Sequence, residues 1–583
     1  MHEINLLEKI DSNKRAELLL KIWEPDHTFK FPITGNRKLK FQLNWLRKWS
    51  WLTYSKLLDG AFCKFCVLFK RNEGGRGNQK LGKLVLEKFS NWKKAIEEFN
   101  KHEGLALRGH NDSGPISLQN SQIYNEGNFR ELLRFKVEAG DKNLANHLET
   151  APRNATYLSP EIQNEIINTC SSMIIEQLVS RINSAKCFTV LADETTDISG
   201  IEQFSLCVRY LDMLKKEMRE DFLKFVPVHD VTGIGLATSL LDNLKELGLE
   251  LKYLRGQGYD GAAAMSGHFN GVQAHVTKNY PLAHYIHCSS HSLNLAISDA
   301  CNVQSIRNCT GTIQKICVFF KYPKRNNVLT ESISSICPSS NAKRLKLLCP
   351  TRWVDRHDSI IIFLDLFDAI IDGLTKVCSW FDKDSSSGAY QTNVQKNRCN
   401  VQENSPEDYF RISIFIPFID SFINELNERF LSHKTMLKNF TCLLPSLNGK
   451  FEEENIKQLI EMYQDDLNCN KLAAVGEIRT WQQKFVQTQV FPKNALDALQ
   501  ECNETIFPST FKLLQILATL PVTTASSERS FSTLKRLKTY LRNTTCENRL
   551  NGLALLNIYR EIVLQPEDIL NILASKTRKI RLL

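Results

Sequence analysis

The stretch from Cys187 to Gly261 limits most tightly what this chain can fold into. Cys187-Phe188-Thr189-Val190-Leu191-Ala192 is a short apolar run ending in Asp193, and Gln203 to Tyr210 alternates apolar with polar side chains. Both are strand patterns. Residues 217–228 supply a third strand. Within Ile234 to Leu247, the residues Leu236, Leu240, Leu241, Leu244 and Leu247 are spaced as the apolar stripe of a helix. A strand through Leu251, Tyr253 and Leu254 then leads to Gly258-Tyr259-Asp260-Gly261. The order is three strands, a helix and a strand. It sets Asp193 and Asp260 at or just beyond strand ends, where ligand and metal groups gather in α/β sheets.

At 583 residues the chain is expected to divide into two to four domains, taking about 150 residues for each. No run approaches the roughly 18 apolar residues of a membrane span, and the N-terminus lacks the apolar stretch of a signal peptide. A soluble, intracellular protein with no membrane partner is the expectation. Seventeen cysteines without dense, regular spacing read as thiols or metal ligands in a reducing compartment. The net charge of +10 is unevenly placed: residues 1–100 hold twenty Lys/Arg against eleven Asp/Glu, and residues 529–583 hold eleven against four. The ends are basic and the middle is acidic, which suits a chain whose ends meet a polyanion while its centre keeps carboxylates for metal. On charge alone, solvated surface charge is the slightly better reading of the same counts.

Aromatic and basic residues interleave in the first hundred positions, with Trp45, Trp49, Trp51, Tyr54, Phe62, Phe65, Phe69 and Trp92 among Arg47, Lys48, Lys64 and Lys70. A small module with an aromatic core is expected there. It carries Cys63-x-x-Cys66 with His102 and His110 downstream, and two thiolates plus two imidazoles would make a closed tetrahedral zinc site, with buried free thiols as the competing reading. Asp382 to Asp408 is polar and reads as a loop or linker. The last eighty residues offer amphipathic helices at about 508–520, 525–541 and 547–562, the second built on Phe531, Leu534, Leu537 and Leu541.

Hydrolysis and strand transfer at phosphodiesters need two divalent cations about 3.5–4 Å apart, held by carboxylate oxygens. Asp193, Asp260 and Glu528 would serve, although intervals of 67 and 268 residues mean that only a fold can unite them. Asp197 competes with Asp193. Glu528 also reads as an ordinary helix N-terminal acid after Ser526 or Ser527. Cys288 and His291 lie where a strand turns into a helix, and on local sequence alone a capped helix start with a packed histidine is the better reading.

These blocks together resemble the hAT family of DNA transposases, in the branch related to the zinc finger MYM-type proteins. The resemblance runs through Phe188 to Asp197, Gly256 to Met265, His287 to His291, Cys349-Pro350-Thr351-Arg352-Trp353 and Ser526 to Leu555. It implies an α/β fold: an RNase-H-like core interrupted by a helical insertion, a small N-terminal TTF-type zinc-finger-like module and a helical C-terminal dimerisation region. The implied boundaries are 1–110 for the finger module, 111–380 for the first part of the core, 381–500 for a remnant insertion and linker, and 501–583 for the dimerisation region.

The resemblance maps an acidic triad for Mg2+ or Mn2+ onto Asp193, Asp260 and Glu528, and ties Cys288 and His291 to active-site integrity. Trp353 falls where an indole stacks on a flipped base. Phe531, Leu534, Leu537, Leu550 and Leu553 become the dimerisation stripe. Zn2+ in the finger, double-stranded DNA, a second copy of the chain and a nuclear location follow from the same likeness, with no small-molecule substrate.

Two departures bear on activity. Lys101-His102-Glu103 runs directly into Gly104-Leu105-Ala106-Leu107-Arg108-Gly109-His110, which resembles sequence normally found well downstream, so the fourth zinc ligand is open. Only 55 residues separate Trp353 from Tyr409, shorter than the family's insertion. The expectation is a transposase-derived DNA-binding, self-associating protein without full transposition; the alternative is an active transposase.

Overall fold

The computed structural model describes residues 127–152, 155–349, 353–380, 406–431, 434–444, 453–467, 469–488, 491–539 and 544–575, together with 22–26, 29–33, 39–49, 51–64 and shorter stretches up to residue 116. Its strands are β1 (Leu52–Ser55), β2 (Gly60–Cys63), β3 (Phe188–Thr196), β4 (Glu202–Asp212), β5 (Glu217–Val228), β6 (Leu254–Tyr259) and β7 (His284–His287). Its helices of eight residues or more begin with α1 (Asn128–Glu138), α2 (Lys142–Thr150), α3 (Pro160–Ala185), α4 (Gly233–Glu246), α5 (Val272–Asn279) and α6 (Ser289–Ala300). They continue with α7 (Gln304–Phe319), α8 (Pro323–Ile336), α9 (Trp353–Asp365), α10 (Phe367–Cys378), α11 (Ile416–Leu431), α12 (Glu453–Met462) and α13 (Lys471–Thr488). The last are α14 (Pro508–Thr519), α15 (Ala525–Leu537), α16 (Glu547–Ile558) and α17 (Pro566–Ala574). The chain packs as two units, one of Met1–Glu176, Asp197–Gly200 and Phe531–Leu583, the other of Gln177–Thr196 and Ile201–Ser530.

In the second unit β3 to β7 form one sheet in the order β5-β4-β3-β6-β7. β3, β4 and β5 are antiparallel, whereas β6 runs parallel to β3 and β7 parallel to β6. From Phe188 to Ala192 every residue of β3 is buried, as a central strand covered on both faces requires. Thr189 and Leu191 share one face with Gly256 and Gly258, which are their register partners on β6. Gln257 looks the other way, and its amide donates to Thr277 Oγ1 of α5 at 3.0 Å and to Ala283 O at 2.8 Å.

The expected strand through Leu251 and Tyr253 is instead a turn of 3-10 helix, Leu251–Tyr253. Tyr253 N–H donates back to Glu250 O at 3.0 Å, so local bonding holds the backbone until Leu254 meets Phe188 across the ladder.

Between β7 and α14 the described residues are mostly helical and contribute to two apolar clusters. One joins Ile313, Cys317, Phe320, Leu329, Phe363 and Ile370 from α7 to α10. The other gathers Leu459, Tyr463, Ile478 and Trp481 with Leu513 and Leu514 of α14. Trp481 Nε1 donates to Leu443 O at 3.0 Å, and Arg255 at the base of β6 grips Asp466 through Nε at 2.7 Å and Nη2 at 2.5 Å. Both members of that ion pair are nearly inaccessible.

The first unit contains the expected aromatic module. Phe41, Trp45, Trp49, Tyr54, Phe89, Trp92 and Phe99 form its core around the β1–β2 hairpin. Elsewhere in this unit Gly552 of α16 lies so close to α3 that an added Cβ would stand 2.5 Å from Ile167 Cγ2. The helix expected at 525–541 ends at Leu537, and that expected at 547–562 ends at Ile558. α17 is an additional helix opened by Pro566 at its first turn, which pre-sets the helical φ.

A candidate active site at the ends of β3 and β6

Leu191 pairs with Gly258 in the parallel ladder. Asp193 and Asp260 each lie two residues further on. Adjacent strands run about 4.8 Å apart and side chains repeat every second residue, so the two carboxylates emerge side by side at the C-terminal edge of the sheet. Asp193 Oδ1 accepts the Glu194 N–H at 3.0 Å, and Asp260 Oδ1 accepts the Ala262 N–H at 3.1 Å.

The third carboxylate arrives from 268 residues downstream. Gly258 has no Cβ because one would sit 2.8 Å from Pro521 Cβ and 2.9 Å from Leu191 Cδ2, and this clearance lets the Pro521 segment lie against β6. Ser289 N–H donates to Val522 O at 2.9 Å, and Thr524 N–H donates to Cys288 Sγ at 3.3 Å. Ser205 on β4 and Ser530 on α15 share a buried hydroxyl–hydroxyl hydrogen bond of 2.7 Å. Held in this way, the first turn of α15 presents Glu528, with its side chain exposed to solvent.

The electrostatics report the convergence. Asp193 has its pKa pushed up to about 7, first by burial, then by the negative charge of Asp260 and then by that of Glu528; the Glu194 N–H pulls the other way. Neighbouring negative charge raises the pKa of a carboxyl group, and a dication set among these side chains would relieve the repulsion. Oxygen donors of this kind fit Mg2+ or Mn2+. Among the described residues no three His, Cys, Asp or Glu side chains stand within one coordination sphere, so shared ligation requires side-chain rotation.

Asp197, the competitor for Asp193, is differently occupied. Its Oδ2 accepts Lys538 Nζ at 2.6 Å, with both side chains almost wholly buried, and its Oδ1 accepts the Ser199 N–H at 2.7 Å. Glu194 is a carboxylate near the site that the sequence reading passed over. Burial, Asp260 and Glu202 raise its pKa in that order. Adjacency to Asp193 was its only sequence signal.

Cys288 is buried and precedes the first turn of α6, and its N–H donates to Tyr259 O at 3.1 Å. His291 packs 5.9 Å from the His287 ring. Among the described residues no third metal-binding side chain joins Cys288 and His291. Cys288 acts in this structure as the acceptor that fastens Thr524. Trp353 opens α9, but its side chain lies outside the described residues. Cys63 ends β2 and is buried. Cys66, His102 and His110 lie outside the described residues. Of the expected dimerisation stripe, Phe531, Leu534 and Leu550 are buried within the chain itself, and Leu537 and Leu553 are half-buried.

Comparison with known proteins agrees with this architecture. Residues 95–271 match a family described as the ZMYM1/FAM200, RNase-like domain, and residues 480–562 match the hAT family C-terminal dimerisation region. The 52 kDa repressor of the inhibitor of the protein kinase of Homo sapiens is 25% identical over 563 residues, covering 79% of this chain and 72% of that protein. Its Mus musculus counterpart is 24% identical over 564 residues, covering 79% and 73%. Sheet order and comparison together define a mixed α/β chain with an RNase-like domain. With the C-terminal match, the chain is similar to the hAT-family transposase-like proteins.

Proposed function

We propose that this protein is a transposase-derived, DNA-binding, self-associating nuclear protein that keeps a carboxylate site for Mg2+ or Mn2+ but does not carry through complete transposition. The observation that carries the reading is the meeting of Asp193, Asp260 and Glu528 at one end of the sheet, where the last two raise the pKa of the first. Such a site faces the phosphates of a polynucleotide. The basic N-terminal hundred residues would add sequence-independent affinity through counterion release. There Cys63 and Cys66, with His102 and His110, would hold Zn2+. Trp353 would stack on an unpaired base.

Self-association is supported by the dimerisation match over 480–562. Because Phe531, Leu534 and Leu550 are already buried within the chain, Leu537 and Leu553 are the members of the stripe left to meet a second copy. Incomplete transposition is supported by the 55 residues between Trp353 and Tyr409. A shortened helical region leaves the triad with less to hold DNA in line, and misplacement by about 1 Å can cost a hundredfold in rate.

The test uses the purified full chain with a donor DNA carrying candidate terminal inverted repeats, in Mg2+ or Mn2+. Light scattering should give a dimer or larger assembly, and mobility shifts should show DNA binding that weakens with salt. Zinc content should fall in the Cys63→Ala/Cys66→Ala double variant, and no joined product should form. Excision with strand joining that is lost in Asp260→Ala would establish the active transposase instead. A monomer without DNA binding would overturn both readings.

A further inference from the structure

We propose that Arg209, Glu220 and Ser526 are positioning residues that set the height and direction of Glu528 over the sheet; the inference rests on the carboxylate site proposed above. Arg209 on β4 and Glu220 on β5 are register partners across the antiparallel ladder. Arg209 Nη1 donates to Glu220 Oε1 at 2.7 Å, and the pair is mostly shielded from solvent. The same guanidinium donates through Nε at 3.2 Å and Nη2 at 2.9 Å to Ala518 O, in the last turn of α14. Glu220 Oε2 accepts the hydroxyl of Ser526, in the first turn of α15. Arg529 Nη2 closes the group by donating to Ser526 Oγ at 2.6 Å.

One charged pair on the sheet therefore holds both ends of the seven-residue connection 519–525. At one end it grips a helix C-terminal carbonyl, which welcomes a cation. At the other it grips a serine two residues before Glu528. Arg209 is a charged residue in the middle of β4, and its Nε, Nη1 and Nη2 all donate to this group, a fork that a lysine could not duplicate. The hydrogen bonds of Ser289 to Val522, Thr524 to Cys288 and Ser205 to Ser530 fasten the middle of the connection and the start of α15. The ion pair adds a directional hold at the end of α14 and at Ser526, close to Glu528 in the same helical turn.

The test compares Ser526→Ala, Ser526→Thr and Arg209→Lys with the unaltered full chain by Mn2+ titration and by amide hydrogen exchange in metal-free protein. Residues that orient a metal ligand typically change metal affinity by about 10- to 100-fold when removed. Ser526→Ala and Arg209→Lys should weaken Mn2+ binding about tenfold or more and speed exchange across 519–530. Ser526→Thr keeps the hydroxyl and should restore both. The thermal midpoint of Ser526→Ala should stay close to that of the unaltered chain. If the unaltered chain binds Mn2+ and Ser526→Ala binds it equally with unchanged exchange, the positioning role is overturned and the carboxylate site stands. If the unaltered chain binds no Mn2+, the carboxylate site itself fails. Equal losses in Ser526→Thr and Ser526→Ala would also overturn the role of the hydroxyl.

Discussion

Asp193 is half-buried beside other carboxylates, and its pKa is raised from the usual 3.8 to about 7. A raised acid favours the folded state while it is protonated. Its contribution is fully present below the unfolded pKa and is lost as pH rises through the folded one, so the metal-free protein should lose stability between about pH 4 and 7 on this account. Asp193→Asn should flatten that slope. Thermal unfolding in a chelator from pH 5 to pH 8 should then show the variant more stable than the unaltered chain at pH 8, with the difference shrinking toward pH 5. Parallel curves would mean that Asp193 does not titrate in this range. The choice between Asp193 and Asp197 was closed to sequence because the decisive partner, Lys538, lies 341 residues along the chain. Four residues apart, the two aspartates share one local context. Only the fold separates a carboxylate ion-paired to an amine from one repelled by its neighbours.

The five-stranded sheet was the most legible element. An apolar run in β3 follows directly from burial on both faces, whereas the alternation in β4 does not mark a solvated face, since Gln203 and Ser205 are as buried as Phe204 and Leu206. The expected strand end at Asp193 is corrected, because β3 runs on against β4 to Thr196 and only its pairing with β6 stops before Asp193. Less legible was the role of Gly258, which the sequence offered only as part of a glycine-rich block. Its partners are Leu191 on the adjacent strand and Pro521 from just beyond α14. Gly258→Ala would drive a methyl group into both, and overpacking of this kind costs about 1–3 kcal/mol. Urea unfolding should show that loss, and Mn2+ affinity should fall with it because the displaced segment leads to Glu528. An unchanged unfolding midpoint would show that Pro521 does not bear on β6. The Arg255–Asp466 ion pair was invisible for the same reason as Lys538: charged residues are common, and nothing local marks the pair that ends up buried. Cys288 was legible as part of a pair with His291, but its hydrogen bond to Thr524 needed coordinates.

At the scale of the whole molecule, the sequence set out a basic N-terminal module, an α/β core and a helical C-terminal region, and the described residues contain an aromatic-cored module, a mixed sheet and helices. The C-terminal stripe shows where periodicity runs out. A spacing of three and four residues identifies the apolar face of a helix, yet it cannot tell a face covered by the same chain from one reserved for another. Leu550, completely buried, and Leu553, half-buried, lie three positions apart and meet different fates. The carboxylate site is likewise a property of the whole chain, since β3, the end of β6 and α15 must come together before any ion can bridge them. Its most direct test is Mn2+ binding by the purified full chain at about pH 8, above the raised pKa of Asp193, followed by the electron paramagnetic resonance signal of the free ion. The account predicts saturable binding that Asp260→Ala and Glu528→Ala each reduce at least about tenfold. Binding that is equal in all three proteins, or absent from the unaltered one, would contradict it.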